Sequence, residues 1–163
     1  MAERSLWFES HLFADRAGRR ARQACEQLGP QIHAQILAAG DRLAAASPSV
    51  AQQFYRHAPT VRRTLGAGSF HRWVALGQDL LTREPSQREA ALAYFSVAPQ
   101  AVARVGVERL RSWCDTGQRV AAASRRLGAT FFQGTVALVD KVGAATLAEW
   151  ARHGLRLYGR AGW

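Results

Sequence analysis

A chain of 163 residues with 48% hydrophobic and 21% charged side chains has the length and composition of one folded domain with a real core, which excludes a disordered or fibrous protein. It contains no apolar run of the roughly eighteen residues that a membrane span requires. The formal charge of +10 raises nucleic acid as a partner, but the charge is spread along the chain and 21 of the 22 basic residues are arginine, the exception being Lys141.

The first expected element covers residues 3–28. It carries Leu6, Trp7, Leu12 and Phe13, then Arg16, Arg19, Arg20 and Arg22, and closes at Leu28-Gly29-Pro30. Such a segment reads as an amphipathic capping helix over the flank of the first repeat, with a membrane-surface or partner-docking helix as the alternative. Ile36 and Gly40 then open a pattern that recurs. Ser47-Pro48, a cap followed by a first-turn proline, leads to the aromatic pair Phe54-Tyr55.

Pro59 is expected to open a short helix over 59–65, and Gly66-Ala67-Gly68 to turn the chain. Ser69 would then cap a helix bearing Phe70, Trp73, Val74, Gly77, Leu80 and Leu81 on one apolar stripe. Pro85 would start the next helix, ending in Ala91, Tyr94 and Phe95. A short helix comes next, from Pro99 to Val105 and stopped by Gly106, then a long one carrying Val107, Leu110, Trp113, Cys114, Gly117 and Val120. Ser124 caps a helix that turns Leu127, Phe131 and Phe132 inward, residues 135–142 form another short helix before Gly143, and Leu147, Trp150, Leu155 and Tyr158 begin a last long one.

The register of these signals is the strongest feature. Nineteen residues before Trp73, Trp113 and Trp150 stand the pairs Phe54-Tyr55, Tyr94-Phe95 and Phe131-Phe132; four residues after them stand Gly77, Gly117 and Gly154. Ile36 and Gly40 make a weaker copy, so the periods are 37, 40 and 37 residues. This spacing predicts an all-α, armadillo- or HEAT-like α-solenoid of three-helix repeats. The expected divisions are an N-terminal cap over 1–29, repeats over 30–72, 73–112 and 113–149, and a partial repeat or cap over 150–163, the chain being whole or the front part of something longer.

Equal offsets within apolar stripes make the tryptophans a packing spine, and the glycines after them points of close helix crossing. No phosphate-binding loop, nucleophile elbow or paired His ligands are present, and Glu149 and His153 share a helix face without a third ligand. Cys25 and Cys114 have no metal or redox spacing and read as reduced, buried thiols of a cytoplasmic protein. The expectation is therefore a non-enzymatic scaffold with no catalytic residues, cofactor or metal, binding a protein partner. Arg72, Arg109, Arg111 and Arg119 on the long helices are its candidate contacts, and the same arginines on phosphates give the alternative, a nucleic-acid-binding solenoid.

Trp73-Val-Ala-Leu-Gly77, then Arg88-Glu-Ala-Ala-Leu-Ala-Tyr-Phe95, Ala98-Pro99 and Leu110-Arg-Ser-Trp113 resemble the N-terminal helical repeats of large bacterial von Willebrand A-domain proteins. The resemblance covers residues 36–158. Those proteins work beside MoxR-type AAA+ ATPases as activators of enzymes such as Rubisco and nitric oxide reductase. The resemblance implies an adaptor, with the ATPase or its client enzyme as partner. The family's DxSxS metal-adhesion motif is absent from the sequence.

Overall fold

The computed structural model describes residues 15–82, 87–97 and 99–160, and these are all helix, turn or cap, without a strand. Seven helices run in order: α1 (Arg16–Glu26), α2 (Pro30–Ala46), α3 (Pro48–Thr82), α4 (Arg88–Ser96), α5 (Pro99–Val105), α6 (Val107–Ala123) and α7 (Arg125–Arg160). Leu6, Trp7, Leu12, Phe13 and Pro85 lie outside the described residues.

Asp15 caps α1 by accepting from the Gly18 N–H at 2.6 Å, and its other carboxylate oxygen holds Arg56 of α3 at 2.6 Å. The helix thereby lays Ala21 and Cys25 into the core while its arginines stay outside. Pro30 occupies the first turn of α2, and Ser124, extended at φ −157°, caps α7 as its sequence suggests.

Two expected breaks do not occur. Residues 48–65 form one continuous stretch of α3 that runs through Pro59, and residues 125–142 form one stretch of α7. Only the central copy separates its pieces, at the extended Val97 between α4 and α5. A proline inside a helix costs about 3 kcal/mol, but here Phe54, Tyr55, Ala58, Pro59 and Val61 are all buried and packing holds the turn together. Ser69 is likewise no cap. It sits inside a helix that restarts directly after Gly66.

The true breaks share one geometry. Gly29, Gly66, Gly106 and Gly143 have φ of 89°, 75°, 76° and 80°, and they alone have positive φ among the described residues. Their ψ values of 159°, 179°, 151° and 158° place them in a region essentially restricted to glycine. They stand 37, 40 and 37 residues apart, each seven residues before Ile36, Trp73, Trp113 or Trp150. The backbone thus repeats with the period of the side chains.

The core is an aromatic ladder. Phe54 stacks on Trp73 with centroids 5.7 Å apart and planes at 26°, and Trp73 meets Phe95 edge-on at 5.0 Å. Tyr94 bridges to Trp113 at 6.0 Å, and its hydroxyl donates to the Trp73 carbonyl at 3.0 Å. Trp113 meets Phe132 edge-on at 5.1 Å. Burial pushes the Tyr94 phenol well above its ordinary value, with Cys114 adding to the rise, so this bond keeps its proton. α1 and α2 touch only each other and α3, and neither reaches α6 or α7.

Candidate functional site: an apolar groove over Gly154

Each glycine four residues past the spine position forms a notch. The Tyr55 ring lies over Gly40, the Phe95 ring over Gly77 and the Phe132 ring over Gly117; a Cβ at any of the three would collide with the far end of the ring. The ring comes each time from the second member of the next aromatic pair. Close crossing is therefore the reason for glycine, as the sequence suggests, and the aromatic ring is what takes the space.

Gly154 breaks the series. Nothing lies within 4 Å of where its Cβ would be. Trp73 and Trp113 are 0% and 1% exposed, but Trp150 is 54% exposed. The expectation that all three tryptophans form a buried spine is thus corrected at the third. Among the described residues no ring takes the place over Gly154 that Phe95 and Phe132 take over Gly77 and Gly117, and that indole is left uncovered by them. Leu127, expected inward, is also exposed.

The open notch is the middle of a groove of about 700 Å³ between the two halves of α7. Phe131, Thr135 and Leu138 line one wall, and Leu147, Trp150 and Leu155 the other. Among the described residues the exposed large hydrophobic side chains are Leu127, Leu138, Trp150 and Leu157, and all four line this groove. Scattered apolar residues are ordinary on a surface, whereas convergence on one concave patch marks an interaction site. The left-handed turn at Gly143 folds the second half of α7 back beside the first and so creates the two walls. The threonine hydroxyls of the groove are already engaged: Thr135 accepts from the Trp113 indole N–H at 2.9 Å and donates to the Phe131 carbonyl at 2.6 Å, and Thr130 donates to the Arg126 carbonyl at 3.0 Å.

Leu138 and Leu157 belong to this site although their own spacing does not single them out. The four candidate arginines are all exposed, and they do not make one patch. Arg109 and Arg111 share α6 but fall about 200° apart around it. Arg109 donates to the Val139 carbonyl at 3.5 Å and so points toward α7.

Titratable groups offer little chemistry. Among the described residues no three His, Cys, Asp or Glu side chains group closely enough to hold a metal ion, and Glu149 and His153 are both exposed. Cys25 and Cys114 are buried thiols; burial, with the Glu26 charge, pushes Cys25 up to about 12, so it has little thiolate at neutral pH. His57 is held below its ordinary value, first by burial and then by Arg56.

Compared with family models, with curated proteins and with solved structures, the chain matches none of them. No helix of the described residues is long and apolar enough to cross a membrane.

Proposed function

We propose that the chain is a non-enzymatic helical-repeat scaffold, an α-solenoid that binds another protein. The observation that carries this reading is the convergence of the four exposed large apolar side chains of the described residues on the groove over Gly154. Supporting it are the 37, 40 and 37 residue register of glycine turns and the failure of α1 and α2 to reach α6 or α7, both features of an open stack. The resemblance to von Willebrand A-domain proteins adds a setting, an adaptor beside an AAA+ ATPase or its client enzyme.

A photo-crosslinking residue placed at Leu157 tests the reading in cells. The expected result is one discrete protein adduct that disappears when Gly154→Leu fills the groove. The opposing result is no adduct at Leu157, together with salt-dependent retention on duplex DNA that is lost when Arg72, Arg109, Arg111 and Arg119 are replaced. That outcome would make the chain a nucleic-acid binder instead.

A further inference from the structure

We propose that the groove over Gly154 receives a helix of a partner protein bearing a small residue and then, three and four positions later, two consecutive aromatic residues. This rests on the scaffold reading and specifies the occupant. The pattern is that of the helices filling the three closed notches: Ala51 before Phe54-Tyr55, Ala91 before Tyr94-Phe95, and Gly128 before Phe131-Phe132.

Each position has a cause. The small residue is where the incoming helix presses on its neighbour: Ala51 and Ala91 are fully buried, and a Cβ on Gly128 would collide with Ala121. The second aromatic drops over the notch glycine. Where the spine residue is tryptophan, the same ring meets that indole edge-on, as Phe95 does with Trp73 at 86° and Phe132 with Trp113 at 89°. Trp150 and Gly154 repeat the spine and notch at the same four-residue spacing, and the groove continues the series of interfaces that the core makes internally. An aromatic of the occupant thus has a glycine to lie over and an indole face to meet.

A second copy of the chain is a poorer occupant. Trp7-Phe8 is the remaining adjacent aromatic pair in the sequence, and Arg4 stands where the small residue is needed. A helix of another protein, free of that bulk and charge, satisfies the pattern.

The test is a fluorescein-labelled peptide of residues 125–142, which carries Gly128 and Phe131-Phe132, titrated into the full chain and followed by anisotropy. Saturable binding is expected. It weakens at least tenfold when the protein carries Gly154→Leu, and equally when the peptide carries Phe132→Ala. Because Gly154 borders open space, the Leu variant keeps its fold, and an unchanged thermal melt verifies this. Absence of saturable binding, or binding indifferent to both substitutions, overturns the proposal. A Leu157 adduct in cells alongside a silent peptide would reject this occupant and leave the scaffold reading standing. A binding peptide without any adduct would show that the groove can take such a helix but would reject a protein partner, and with it both proposals.

Discussion

Phe132 meets Trp113 edge to face, with centroids 5.1 Å apart and planes at 89°, while the same Phe ring fills the notch over Gly117. Phe95 does both things to Trp73 and Gly77 one repeat earlier, at 5.0 Å and 86°. Two layers closed by one geometry and a third left open imply unequal costs for the same substitution. Trp73→Ala and Trp113→Ala should each cost about 3–5 kcal/mol, as buried large-to-small changes do. Trp150→Ala, at an exposed site, should stay within about 0.5 kcal/mol. Urea titrations of the three variants check this ordering.

The glycines should split in the same way, with opposite signs. Gly77→Ala and Gly117→Ala force a Cβ into an aromatic ring and should destabilise by about 1–3 kcal/mol. Gly154→Ala meets open space inside a helix and should stabilise by about 0.5–1 kcal/mol. Thermal melts of the single variants give the signs directly.

Gly106 and Gly143 test the backbone register separately from the side chains. Neither has an atom within 4 Å of the Cβ position, so only conformation penalises alanine there. With φ of 76° and 80°, each substitution should cost about 1–3 kcal/mol. Equilibrium unfolding with an unchanged m-value is the expected signature, since the folded surface is not altered.

His57 sets a pH dependence. Its folded value lies below the ordinary 6.5, because burial and then Arg56 disfavour the cation. Above about 6.5 the imidazole is neutral in both states and stability is full. As pH falls below that value the unfolded chain takes up the proton first, and stability is lost until the folded value is passed. The melting temperature of the native chain should therefore drop more between pH 7 and pH 5 than that of His57→Gln. Equal drops would show that His57 is not responsible.

Much of this fold was legible because the repeat is written in residues with one job each. Trp73, Trp113, the notch glycines and the aromatic pairs announce their packing by spacing alone. Ser124 announces a helix start through local hydrogen bonding. Pro59 misled because propensity is a local term, and the burial of Phe54, Tyr55 and Val61 around it overrides that term. Ser69 misled because the left-handed turn at Gly66 had already restarted the helix. The groove was the hardest part to read. Trp150 and Leu127 carry the same sequence signature as buried spine residues, and their exposure arises from what does not cover them, a property of the neighbour rather than of the residue.

The central claim is that one spine runs through the three tryptophans and is closed at two of them and open at the third. The chain contains five tryptophans, and all can be replaced by 5-fluorotryptophan and assigned through single Trp→Phe variants. In ¹⁹F NMR with a soluble paramagnetic relaxation agent, Trp73 and Trp113 should remain sharp and unrelaxed while Trp150 broadens strongly. Strong relaxation of Trp73 or Trp113, or protection of Trp150 in the chain alone, would contradict it.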